Sequence, residues 1–219
     1  PVILYQKNAA CAPWEGSMDI AIRKMEADDW SSVIEIYIQG VQSNKATFNT
    51  ACPSWPEWDA GHIQSCRYVA EENGDIVGWA ALAPINAREC FKGVAEDSIY
   101  VAENCCGRRI GEKLLTALVA DSEKEGFWTM QAQIFQTNSA SIALHKKCGF
   151  REIGYRERIA KDRAGNWQNT VLMEHRITSD LNVGCDCESA RAYEREREAH
   201  ENEIRRELGF LPEIKKREE

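Results

Sequence analysis

Residues 105–115 read "CCGRRIGEKLL", in which two cysteines, a lone glycine and two arginines run into the apolar spacing of a helix. The helix is predicted from about 109 to about 125, with Ile110, Leu114, Leu115, Leu118 and Val119 on one face and Gly126 as its stop. The first N–H groups of a helix lack partners within it, and its dipole favours negative charge at that end. A bare glycine with clustered positive charge at such an entrance suits a phosphate or pyrophosphate. The competing reading is an ordinary helix start with solvated arginines, and a short glycine-containing motif alone does not separate the two.

Working outward, "VAEDSIYV" upstream and "FWTMQAQIF" downstream read as strands, so the opening stretch joins a strand to a helix that leads into another strand. Further upstream, "DIAIRKM" begins a recognisable domain near Met18 as a short strand. A helix follows, with Trp30, Val33, Ile34 and Tyr37 at helical spacing and acidic residues at its entrance. A polar, proline-containing connection then leads to a second short helix ending near Ser65. "RYVAEENGDIVGWAALAPI" is two apolar runs around Asn73–Gly74, a strong hairpin signal. Downstream, "TNSASIALHKKCGF" is a short helix stopped by Gly149, and a closing hairpin turns at Ala164–Gly165. The predicted order is β-α-α-β-β-β-α-β-α-β-β, an α/β fold with a mixed sheet flanked by few helices.

Bulk composition narrows the function. The 219-residue chain is 43% hydrophobic and 28% charged, with a net charge of −8, which disfavours a nucleic-acid-binding surface. Arg108 and Arg109 thus stand against an acidic background, and their partner is more plausibly a small anion than a polymer. No apolar run approaches the ~20 residues that span a bilayer, and the first residues lack the pattern of a signal peptide. Nine scattered cysteines without framework spacing point to reduced thiols and a cytoplasmic location, with no membrane association. Residues 1–17 read as an extension and 18–177 as the folded domain. Residues 178–219, dense in Glu and Arg with a thin apolar stripe, read as a charged helical tail, either solvated or a docking arm.

The three segments "AEDSIYV", "CCGRRIGEKLL" and "NSASIALHKKCGF", in this order, resemble the GNAT acetyltransferase superfamily, and within it the phosphinothricin and methionine-sulfoximine acetyltransferase branch. The resemblance runs from about Ile20 to His175 and implies a mixed, mostly antiparallel twisted sheet, acetyl-CoA as cosubstrate, a small-molecule amine acceptor and a homodimer. It places the pyrophosphate on Cys106, Gly107, Arg108, Arg109, Ile110 and Gly111, where the family pattern is (Q/R)-x-x-G-x-(G/A). Cys106 stands in place of the usual Gln or Arg, and Arg109 in place of the first glycine, where it either crowds the phosphates or adds a charged contact. Ile99, Tyr100 and Val101 of the preceding strand, with Asn138 and Ser141, complete the implied cofactor set; both polar residues also suit a helix N-cap.

The chemistry needs a base for the amine, a donor for the thioester oxygen and a proton for the thiolate. Strand period places Glu96, Ser98 and Tyr100 on one face if no bulge intervenes, and Glu96 aligns with the glutamate of this branch that acts as general base. Asp97 stands where relatives often have His. His145 is implied near the sulfur, either protonating the thiolate or orienting the pantetheine arm, against a purely structural role. For the acceptor, the resemblance implies Phe48, Asn86, Arg88, Phe91 and Ser98, with Arg88 as the carboxylate clamp. Trp167 matches a family tryptophan of the last hairpin. Cys148, one helical turn after His145, invites a Cys–His nucleophile but has the neighbours of a packed thiol; Cys185 and Cys187 lack metal-site spacing, and no metal is expected. The leading function is acetyl transfer to a small amino-acid-like amine. The alternatives are a protein N-terminus or polyamine as acceptor, or a non-catalytic acyl-CoA-binding module.

Overall fold

The computed structural model describes residues 20–177. The expectations for the N-terminal extension, the charged tail, Cys185 and Cys187 lie outside the described residues. The elements follow the predicted order: β1 (Ala21–Lys24), α1 (Trp30–Ser43), α2 (Trp55–Gly61), β2 (Arg67–Glu72), β3 (Asp75–Pro84), β4 (Val94–Val101), α3 (Ile110–Lys124), β5 (Thr129–Phe135), α4 (Ser139–Lys147), β6 (Arg151–Lys161) and β7 (Trp167–Arg176), with short 3-10 turns between some of them.

Local sequence explains most of these elements. The β2–β3 hairpin turns through Asn73 (φ 54°) and Gly74 (φ 88°), left-handed residues whose twist matches the flanking strands. Ile110, Leu114, Leu115 and Leu118 of α3 are fully buried, the stripe expected from their spacing. One boundary differs. The second short helix stops at Gly61, before Ser65, because His62 is extended and Ile63 N–H donates to Leu82 O at 2.8 Å. The buried Arg67 holds this stretch, donating to the carbonyls of Asp59, His62 and Ile63 and to the Asp59 carboxylate.

The seven strands lie in the order β1-β2-β3-β4-β5-β7-β6. Every neighbouring pair is antiparallel except β4 and β5. That parallel pair lasts only three residues, Val94–Glu96 against Thr129–Gln131. Beyond it β4 stays with β3 as far as Val101, and β5 stays with β7 as far as Phe135. The sheet therefore opens into a wedge in its middle, and the side chains that close its walls come from α4 and residues 46–49. The core gathers α1, α3 and the strands around Trp79, Leu82, Leu114, Leu115, Leu118 and Met130.

Candidate active site

The wedge holds a cleft of about 270 Å³ lined by Glu96–Tyr100 of β4, Ala132–Phe135 of β5, residues 46–49, and Asn138, Ser141 and His145 at α4. It gathers Glu96, Ser98, Ile99, Tyr100, Asn138, Ser141, His145 and Phe48 from the sequence-derived set. β4 pairs with β3 without a register shift, so Glu96, Ser98 and Tyr100 do share a face. Tyr100 on that face packs edge-on against Tyr37 of α1, at 5.0 Å between ring centroids. Asp97, on the opposite face, reaches α4.

Glu96 stands at the point where β4 and β5 part, solvent-exposed but walled by protein. Partial burial pushes its carboxyl above the usual carboxylate range; the negative Asp97 pushes the same way and Arg156 pulls against both. Arg156, on β6, reaches across β7 and donates to the Gln133 side chain at 3.1 Å, on the β5 wall of the cleft. Phe48 packs against Phe135 with centroids 4.5 Å apart, giving the cleft an aromatic wall.

His145 is buried at 3% exposure. Its Nδ1 donates to Ser141 O at 2.7 Å, and its Nε2 is hydrogen-bonded to Asp97 Oδ2 at 3.0 Å. Burial disfavours charge on the ring, but the Asp97 bond and charge with the Ser141 carbonyl outweigh it and raise its pKa above the ordinary value. The Cys–His reading finds no support in this geometry. His145 Nε2 is engaged by Asp97, and burial raises the Cys148 thiol, opposite to what an activated nucleophile needs. The six cysteines among the described residues are free thiols.

Asn138 caps α4, accepting from Ser141 N–H at 3.2 Å, and also lines the cleft, so the cap and cleft readings coexist. Asn86, Arg88 and Phe91 lie outside the cleft lining. The Arg88 guanidinium sits 4.8 Å over the Phe91 ring, its backbone N–H bonds Asn86 Oδ1, and the loop leads directly into β4. Val101 also stands outside the lining, where it approaches the position a Gly111 Cβ would take. Trp167 is 57% exposed, with Lys161 over its ring.

At the other end of β4 the turn into α3 is built from Gly107 (φ 81°) and Arg109 (φ 61°). The left-handed conformation at 109 gives the family glycine there a physical reason, and here an arginine adopts it. As N-cap, Arg109 has no acceptor to offer, and no side chain caps this 15-residue helix. Arg109 is exposed. Arg108 instead forks onto Glu72, whose carboxyl it draws below the usual range. A Cβ on Gly111 would meet Leu144 of α4 at 3.0 Å, so this glycine serves helix packing.

A family model for the acetyltransferase (GNAT) family matches residues 27–150, and the chain belongs to that family. The chain is 30% identical over 152 residues to the phosphinothricin N-acetyltransferase of Streptomyces coelicolor, covering 65% of this chain and 88% of that protein. It is 26% identical over 163 residues to the L-methionine sulfoximine/L-methionine sulfone acetyltransferase of Pseudomonas aeruginosa, covering 72% and 94%. The crystal structure of a GNAT superfamily phosphinothricin acetyltransferase from Sinorhizobium meliloti in complex with AcCoA matches with a TM-score of 0.66 at 30% identity, over 73% of this chain and 89% of that one. The chain is an acetyl-CoA-dependent N-acetyltransferase, as its motifs led one to expect.

The site fits that cosubstrate. Past Glu96, β4 has no strand partner on its β5 side among the described residues, so its edge is open to the amides of an extended ligand arm. The uncapped start of α3 offers free N–H groups to phosphate oxygens.

Proposed function

We propose that the protein acetylates the α-amine of a free amino acid carrying one carboxylate and a medium, weakly polar side chain, of the methionine sulfoximine type. The observation that carries this reading is the Glu96 carboxyl on the wall of the β4–β5 cleft, with Arg156 anchored on the β5 wall and an aromatic pair on another. Ile99 and Tyr100 line the cofactor arm, with Val101 continuing the strand and Asn138 and Ser141 on the facing wall. The phosphates lie on the turn from Cys106 through Gly107, Arg108 and Arg109 to Ile110 and Gly111. Acetyl-CoA supplies the activated acetyl group. Glu96 takes the amine proton, Ser98 borders the acceptor, and Phe48 with Phe135 holds its side chain.

Two arginines are candidates for the acceptor carboxylate. The charge of Arg156 acts on the Glu96 carboxyl, and its guanidinium anchors on a cleft residue. Arg88, with Asn86 and Phe91, sits on the loop feeding β4. Placing the carboxylate at Arg156 leaves the amine facing Glu96. Arg156→Gln then raises the acceptor KM more than Arg88→Gln does, and the reverse order returns the clamp to the loop.

The reading extends to the assembly and its setting. β6 is an edge strand exposed along nearly all its length, and with Trp167 it displays Ile153, Tyr155 and Ile159 to solvent. A second copy of the chain covering this strand makes a homodimer. Among the described residues no helix is long and apolar enough to cross a membrane. The acidic composition and the free thiols among the described residues support a cytoplasmic enzyme that does not engage nucleic acid.

The test is kcat/KM for methionine sulfoximine, phosphinothricin, and the carboxamide of each. Amidation removes a charged hydrogen bond of about 1.5–3 kcal/mol, so the amides lose roughly 10- to 150-fold. Amides or simple polyamines acetylated as well as the free acids replace this acceptor class with a protein N-terminus or polyamine.

A further inference from the structure

Asp97 lies next to the proposed base yet points the other way, and the transfer chemistry does not by itself require it. Its side chain is 2% exposed, the same as in a packed core, although it is a carboxylate. Oδ2 accepts from His145 Nε2, while Oδ1 is buried without a hydrogen-bond partner. Residues are not left in this state without compensation, because an unpaired buried carboxylate oxygen is costly. The ring opposite is equally constrained. Ser141 O can only accept, so Nδ1 carries a hydrogen; a carboxylate at Nε2 places a second one there.

We propose that Asp97 is a positioning residue for acetyl transfer, holding His145 in one ring orientation with both nitrogens protonated, so that the two form a buried ion pair whose positive end lies on the α4 wall of the cleft. On the proposed reading, in which the cofactor arm runs between β4 and α4, the positive end of this pair borders the same cleft and stabilises negative charge developing there. With both N–H groups committed to protein acceptors, His145 acts as a fixed cation and not as a mobile proton donor. Asp97 is among the residues lining the cleft, and its Oδ1 is buried there without a hydrogen-bond partner.

Other charges around the ring are already balanced. On β4 the neighbour is Glu96, whose side chain lies on the opposite face. On α3, Glu112 pairs with Lys147 of α4 at 2.7 Å; Lys146 pairs with Glu152 at 2.7 Å. His175 of β7 stands beyond Phe150, whose ring packs edge-on against His145 at 5.0 Å. The Cys148 thiol is held neutral by burial. Asp97 is the carboxylate that bonds the ring, so its removal is the perturbation to make.

The sign follows from these contacts. With Asp97 present, the ring keeps its proton to a pH above its ordinary value of about 6.5. In Asp97→Asn the raising partner is gone and burial remains, so the ring titrates below that value and is neutral at pH 7.

The experiment is nitrogen-15 NMR of the His145 ring in the free protein, followed from pH 5 to 9, together with kcat against pH at saturating substrates. Wild type shows both ring nitrogens protonated at pH 7, and the alkaline limb of kcat follows loss of the ring's proton, separate from the acid limb that Glu96 sets. Asp97→Asn shows a neutral ring at pH 7. Its alkaline limb moves to lower pH, with kcat dropping roughly tenfold per unit beyond the new midpoint while the acetyl-CoA KM changes little. A neutral ring in wild type at pH 7 overturns the proposal without any variant. So does an Asp97→Asn enzyme whose kcat is lower by the same factor at every pH, the mark of a purely structural contact.

Discussion

Arg109 shows how a single residue can be wrong for its backbone and informative for that reason. Its φ of 61° belongs to the region that glycine enters freely and a side chain enters at a cost. Nothing in local sequence reveals the sign of that φ, so the departure from the family pattern was legible but its physical meaning was not. Arg109→Gly is expected to raise stability by about 1 kcal/mol, read as a higher denaturation midpoint with unchanged m-value. Calorimetry with acetyl-CoA then separates the two roles of the guanidinium. Weaker binding in the more stable variant means that the arginine contacts phosphate; tighter binding means that it crowded the turn. Arg108, read as a second phosphate ligand, shares its charge with Glu72, a partner 36 residues away that sequence spacing cannot identify.

Among the elements, those decided by neighbours in sequence were legible and those decided by distant pairing were not. The hairpin at Asn73–Gly74, the buried stripe of α3 and the unbroken period of β4 all follow from local pattern. The end of α2 does not, because Arg67 and Leu82 set it from other parts of the sheet. Nor does the Asp97–His145 bond, which joins β4 to α4 across 48 residues, or the reach of Arg156 to Gln133 across β7. Gly111 makes the same point between helices: the family resemblance makes it a phosphate-cradle residue, and it also lets α3 approach Leu144. Gly111→Ala is therefore expected to destabilise the fold, and Gly111→Ala with Leu144→Ala to recover part of that loss. A melting series that shows additive losses in the double variant contradicts this packing role.

At the scale of the whole molecule, one topological feature organises the account: β4 and β5 run together for three residue pairs and then separate. The separation exposes a strand edge, places Glu96 at its apex and lets α4 and residues 46–49 form the walls. Composition and motif order indicated a mixed sheet, but the place where it opens depends on pairing register, which no single segment encodes. The same sheet ends at β6, whose exposed apolar residues are proposed to meet a second copy. Tyr155→Lys with Ile153→Lys is expected to shift sedimentation equilibrium toward monomer, whereas a wild-type protein that already sediments as a monomer contradicts the dimer.

The central claim is that this cleft transfers acetyl groups with Glu96 as the base. Since Glu96 must be deprotonated to act and its pKa is raised, activity should fall on the acid side at a higher pH than an ordinary glutamate would give. The most direct measurement is turnover of Glu96→Gln across pH, alongside acetyl-CoA affinity by calorimetry. The account predicts unchanged affinity and a loss of roughly two to four orders of magnitude in kcat at neutral pH, narrowing at high pH as free amine becomes abundant. Wild-type turnover by Glu96→Gln at neutral pH would contradict it.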